Sequence, residues 1–100
     1  MDLEQYVDKQ MRWSKRTFGD GKRTIGISKH IRKELEEIAA DPDDLMEWID
    51  ICILALDGFW RAGGTPRMFV DLLEQKQAIN MTRQWPPPQA EDQATEHIRG

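Results

Sequence analysis

The stretch MEWIDICILALDGFW, Met46 to Trp60, is apolar nearly all round and yet carries Glu47, Asp50 and Asp57. A helix with apolar side chains on every side belongs at the centre of a helical assembly rather than on its surface. A carboxylate withdrawn from water in such a place is costly unless it is paired, hydrogen-bonded or bound to a metal. The three acids therefore need solvent, a counter-charge or a cation, and the question of fold and the question of chemistry meet in one segment.

The flanks delimit this helix. Asp41-Pro42 is a start signal, since proline at a first turn loses no needed donor and acids there complement the macrodipole. Gly63 and Gly64 supply the left-handed backbone of a helix end, so a third helix is expected from about Pro42 to near Ala62. Upstream, Asp2 with Gln5 forms a capping box, and Leu3, Val7 and Met11, with Tyr6 and Trp13, give an apolar face that predicts a first helix to about Ser14. The segment SKRTFGDGKRTIGI, with Gly19, Gly21 and Gly26 among basic residues, reads as a loop. Ser28 then caps a second helix, roughly Lys29 to Ala40, with Ile31, Leu35 and Ile38 at helical spacing. Thr65-Pro66 opens a fourth, in which Met68, Phe69, Leu72, Leu73, Lys76 and Ile79 follow, ending around Arg83. The prolines after Trp85 stop it, and from Gln89 the polar composition predicts a disordered tail. The reading is one all-α, four-helix domain over 1–88 and a tail over 89–100.

Composition narrows the class. A chain of 100 residues that is 39% hydrophobic and 32% charged is that of an ordinary soluble domain. No apolar run approaches the roughly 20 residues that span a bilayer, and the acidic start MDLEQY is unlike a signal peptide, which together predict a cytoplasmic protein with no membrane partner. Cys52 has no second cysteine to pair with and is expected to be a reduced core thiol. The net charge of −4 hides an asymmetry: from Lys9 to Lys33 the charges are basic apart from Asp20, and from Glu34 to Asp57 they are all acidic.

Helical spacing of three puts Glu34 with Glu37 on one face of the second helix and Glu47 with Asp50 on one face of the third. Asp57, seven residues beyond Asp50, returns to nearly the same direction, and Arg61 follows along that side. The short connection predicts antiparallel neighbours, which would bring both acid pairs to one place. Carboxylates so close raise one another's pKa, and a divalent cation makes the arrangement favourable. Oxygen ligands favour Mg²⁺ or Mn²⁺ over zinc; His30 stands one turn before Glu34, in the wrong order for a Glu-x-x-His motif. On the fourth helix Lys76, Asn80 and Arg83 share a side, either to meet phosphate oxygens or as a solvated flank. Trp13 and Phe18 border the basic loop and either stack on a flat ligand or pack inside, while Trp48 and Trp60 are assigned to the core. Lys15, Arg16, Lys22 and Arg23 read as an exposed basic loop, with no P-loop pattern.

HIRKELEEI, DPDDLMEWIDICILALDGFWRAGGTP and KQAINMTRQWP resemble the MazG-like all-α nucleoside triphosphate pyrophosphatases, and within them the dATP/dGTP pyrophosphohydrolase branch that includes the phage MazZ-type enzymes. The resemblance covers Trp13 to Pro86. It implies a MazG-like bundle that hydrolyses dGTP and dATP between the α and β phosphates, giving the monophosphate and pyrophosphate. It also implies Mg²⁺ or Mn²⁺, about two or three ions per site, held by Glu34, Glu37, Glu47 and Asp50. Glu34 and Glu37 would be catalytic, a carboxylate such as Glu37 taking the proton of the attacking water. Asp57 would support a ligand from behind or accept from a sugar hydroxyl, with Arg61, Lys76, Asn80 and Arg83 on the substrate and Trp13 and Phe18 on its base. Members assemble as dimers or tetramers, so a homo-oligomer is expected, a tetramer before a dimer; Trp48, Phe59, Trp60 and Phe69 exceed what one short bundle hides. In the phage relatives dGTP breakdown supplies dGMP for 2-aminoadenine nucleotides, which for a phage-encoded chain places the reaction in the host cytoplasm.

Two other classes stay open on the residues themselves. A non-catalytic helical module could bind nucleic acid or a partner protein through the Lys9 to Lys33 block, although it leaves the acids of the third helix unexplained, and no nucleic acid is expected as partner. A hard-metal binding protein without turnover would use the acids alone.

Overall fold

The computed structural model describes residues 1–89 and 93–99, and its helices are α1 (Leu3–Phe18), α2 (Thr24–Ala40), α3 (Leu45–Arg61) and α4 (Pro66–Thr82). The described residues form no strand beyond an isolated bridge between Gln84 and Ile98, so the all-α class is the one observed. No described helix is long and apolar enough to cross a membrane.

Local chemistry sets the ends. The Asp2 carboxylate accepts from the Gln5 amide at 2.8 Å and the Gln5 side chain accepts from the Asp2 amide at 2.9 Å, closing the expected capping box. α1 runs one turn past Ser14 to Phe18, because Gly19 at φ 85 is the first residue to leave the helical region and Lys15 and Arg16 suit the negative end of the dipole. α2 starts at Thr24 rather than Lys29, and the Ser28 hydroxyl donates back to the Thr24 carbonyl at 2.8 Å instead of capping. Most of the expected loop is therefore helical, leaving only 19–23. α3 starts at Leu45, later than expected, since Asp44 supplies the cap by accepting from the Met46 amide at 3.0 Å while Asp41 to Asp44 form a turn.

The chain divides into two units, Met1–Val70 and Asp71–Gly100. In the first, α3 packs on both α2 and α1 and is the central helix. Val7 of α1, Ile27 and Ile38 of α2, and Leu56 and Trp60 of α3 form the core. Trp48, however, is 50% exposed and Cys52 is exposed as well, which corrects the expected burial of both. The reason is geometric: α3 is apolar all round, whereas its neighbours within one chain cover only part of it. After α3, Gly63 at φ 111 turns the chain, and a β-carbon on Gly64 would clash with the edge of the Phe59 ring, which meets Phe69 edge-on at 5.3 Å.

A buried polar network joins the end of α3 to α1 and its loop. Asp57 accepts from the Ser14 hydroxyl (2.5 Å), the Trp60 indole (2.8 Å) and Arg61 Nε (2.9 Å). Arg61 in turn donates through Nη1 to the carbonyls of Gly19 (2.9 Å) and Gly21 (2.7 Å), and through Nη2 to Ser14 (3.1 Å). The guanidinium also lies 4.2 Å from the Trp60 ring centre.

In the second unit, Asn80 accepts from Arg83 through its side chain (3.2 Å) and from the Trp85 indole through its carbonyl (2.7 Å). The Ile98 amide donates to the Gln84 carbonyl at 2.6 Å, and Trp85 meets His97 edge-on. Of the tail expected to be disordered, residues 90–92 and 100 lie outside the described residues.

Removing the Arg61 charge alone leaves Asp57 buried without its main partner. Arg61→Met is expected to lower unfolding free energy by about 3–5 kcal/mol in urea titrations, and Asp57→Leu added to it to recover part of that loss.

Candidate active site

The turn at Asp41 to Asp44 folds α3 back on α2, and the helical registers then bring their acids together. Glu34 and Glu37 of α2 and Glu47 of α3 each place one carboxylate oxygen so that all three oxygens lie within 4.8 Å of one another. Glu34 is buried, Glu47 half-buried and Glu37 exposed, so the cluster opens to solvent on one side. Asp50, one turn after Glu47, is exposed and stands outside this triple; it lines the adjoining cleft with Glu34. His30, one turn before Glu34, approaches Glu34 Oε1 with its Nε2 at 3.2 Å.

The electrostatics of the cluster are unfavourable as they stand. Glu34 Oε2 and Glu47 Oε2 are shut off from solvent and find no hydrogen-bond donor among the described residues. A proton held between carboxyls is one relief. Hydrogen bonding with Glu34, followed by burial and the charge of Glu37, pushes Glu47 up to about 7. Glu34 is raised too, first by hydrogen bonding with Glu37, then by burial and by the charges of Glu37 and Asp50, against a lowering by its bond to Glu47. A divalent cation is the other relief, and two buried, donorless carboxylate oxygens beside a third fit one of the hard, oxygen-preferring kind.

A cleft of about 460 Å³ extends from this cluster along α1. Glu34 and Asp50 lie on its wall, and so do Trp13, Phe18 and Asp57. Trp13 and Phe18 meet edge-on at 5.6 Å and are each about half exposed, so they form an aromatic surface at the cleft rather than core. Arg23, read from the sequence as part of an exposed basic loop, is exposed and also lines this cleft, its guanidinium 5.0 Å from the Phe18 ring. Asp57 and Arg61 carry the network described above. Lys76, Asn80 and Arg83 belong to the second unit. Gln10, Ser14 and His30 were not singled out as site residues from sequence; Gln10 lies three residues before Trp13 and four before Ser14, and His30 one turn from Glu34, so extending the same periodicity would have found them.

The family model for dATP/dGTP pyrophosphohydrolases matches residues 6–100. The chain belongs to the dATP/dGTP pyrophosphohydrolase family. It is also 43% identical over 79 residues to the Eaa protein of Salmonella phage P22; the match takes in 76% of this chain and 24% of that protein, so the chain spans about a quarter of the length of this relative. No solved structure matches it. The acid cluster thus lies in a chain whose family is that of nucleotide hydrolases, with an aromatic cleft beside it.

The raised carboxyls give a pH signature. Without metal, the folded chain keeps a proton on Glu47 up to about 7 that the unfolded chain releases near 4.5, so stability should fall as pH rises across that window and level off above it. Thermal midpoints measured in EDTA should show this slope and Glu47→Gln should flatten it. Mg²⁺ or Mn²⁺ should stabilise the protein more above pH 7 than below it, because ligands must be deprotonated.

Proposed function

We propose that the chain is a metal-dependent pyrophosphohydrolase that cleaves dGTP and dATP between the α and β phosphates, releasing the monophosphate and pyrophosphate. The observation that carries this reading is the pair of buried, donorless oxygens on Glu34 and Glu47, beside Glu37, with Glu34 itself on the wall of a cleft that also carries Trp13 and Phe18. Family membership supports the substrate class.

Glu34, Glu37, Glu47 and Asp50 are the residues that would hold Mg²⁺ or Mn²⁺, about two or three ions per site. When bound, such ions orient the triphosphate and neutralise charge on its oxygens. Trp13 and Phe18 stack on the purine, and Arg23 faces the same cleft with a positive charge. Glu37, the most solvent-open of the clustered carboxylates, accepts the proton of the attacking water, with Glu34 the buried acid beside it. The water oxygen bonds to phosphorus as the bridging P–O bond breaks, and the bridging oxygen leaves with pyrophosphate. In this reading Arg61 acts through the network it anchors, and Asp57 stands behind the acids or meets a sugar hydroxyl.

The active form is a homo-oligomer, a tetramer before a dimer. Supporting this are the half-exposed Trp48 and Ile49, with exposed Cys52, on α3, large apolar side chains that a neighbouring copy would cover. The monophosphate product dGMP suits a supply of 2-aminoadenine nucleotides in a phage-infected cytoplasm, and removal of dATP would spare that base from competition.

Pyrophosphate release from deoxynucleoside and ribonucleoside triphosphates, with Mg²⁺ or Mn²⁺, tests the assignment. Turnover should favour dGTP and dATP, vanish in EDTA, and fall by at least about 100-fold in Glu37→Gln and in Asp50→Asn. Mn²⁺ binding with no turnover of any nucleotide would leave a metal-binding protein, and salt-sensitive duplex binding without turnover would leave the nucleic-acid module.

A further inference from the structure

Gln10 stands on α1 three residues before Trp13 and four before Ser14, on the side of the helix that faces the cleft. It is only 9% exposed. Its Oε1 is shut off from solvent and has no hydrogen-bond partner among the described residues. A buried amide is ordinarily satisfied, because an unpaired acceptor forfeits the bond that water gave it in the unfolded chain. The other buried polar side chains of this region have an evident role: Ser14, Asp57 and Arg61 hydrogen-bond one another, and Glu34 meets His30 and the acid cluster. Gln10 shares the cleft with the aromatic pair Trp13 and Phe18 and is left without a partner of its own.

We infer that Gln10 is the residue that reads the purine base. The inference rests on the nucleotide-hydrolase reading above and adds to it the group that recognises the base. A primary amide suits two purines of opposite hydrogen-bond polarity, since rotation about its last, broad torsion exchanges Oε1 and Nε2. Toward guanine, Oε1 accepts from N1–H while Nε2 donates to O6. Toward adenine the amide is turned over: Oε1 accepts from the N6 amino group and Nε2 donates to N1. Trp13 and Phe18 supply the stacking surface, which is indifferent to which purine is bound. One side chain thereby serves both purines of the proposed substrate pair.

The test is steady-state pyrophosphate release by the full chain with its metal, as wild type, Gln10→Glu and Gln10→Leu, on dGTP, dATP and the base-free 2′-deoxyribose 5′-triphosphate. A carboxylate only accepts: it pairs with N1–H and the N2 amino group of guanine but meets the lone pair of adenine N1. Gln10→Glu should therefore shift the ratio of kcat/KM toward dGTP by about tenfold or more, and Gln10→Leu should raise KM for both purines by about tenfold with kcat little changed. Neither variant should alter turnover of the base-free substrate. Equal losses on all three substrates, at unchanged thermal midpoints, would overturn base reading and leave Gln10 a packing residue. Should Gln10→Glu fail to fold, Gln10→Leu decides through the purine and base-free substrates alone. Inactivity of the wild type on every triphosphate would instead sink the hydrolase reading; equilibrium binding of dGMP and dAMP to wild type and Gln10→Glu then decides the assignment, an unchanged ratio overturning it.

Discussion

Arg61, in the last turn of α3, reaches back one turn to Asp57 and forward to the carbonyls of Gly19 and Gly21, and through this one guanidinium the central helix holds both α1 and the loop that follows it. Ser14 completes the joint by donating to Asp57 and accepting from Arg61. Each group is buried and each has its bonds, which is the condition under which charge inside a protein is tolerated. The loop it fixes leads directly from Phe18 into Arg23, so the geometry of the cleft's aromatic end depends on the Asp57–Arg61 ion pair.

The same helix carries a second set of acids in the opposite condition. Asp57 has three donors; Glu47, ten residues earlier, has a buried oxygen with none. One carboxylate is finished by the fold and the other is left to be finished by something else. Glu47 is accordingly pushed up to about 7 by its neighbours, and a shared proton or, in the proposed reading, a divalent cation would complete it. Natural chains depart from local consistency chiefly where function requires it, and the α2 and α3 acids are such a departure.

Much of this was legible beforehand. The four helices, the capping box at Asp2 and the convergence of Glu34, Glu37 and Glu47 follow from spacing and turn chemistry that act over a few residues. What spacing could not supply was partnership between distant elements. Glycines at 19, 21 and 26 made a loop of a segment that is mostly helix, because Gly26 is accommodated within α2 and only Gly19 adopts a left-handed φ. Asp57 and Arg61 share one side of a helical wheel, and Ser14 and two carbonyls some forty residues away give them further partners that no local pattern reveals. Trp48 and Cys52 were assigned to a core because α3 is apolar all round, whereas burial depends on how many neighbours one chain can provide.

That last mismatch bears on the proposed assembly. α3 has more apolar faces than α1 and α2 can cover, and the uncovered ones carry Trp48, Ile49 and Cys52 on the same helix that supplies Glu47 and Asp50. A partner seated there would exclude water from one flank of the helix and so stiffen the positions from which the acids project, because side chains hold their geometry only as firmly as the backbone beneath them is packed. Burial of that face and formation of the metal centre would then be linked, each favouring the other through the rigidity of a single helix.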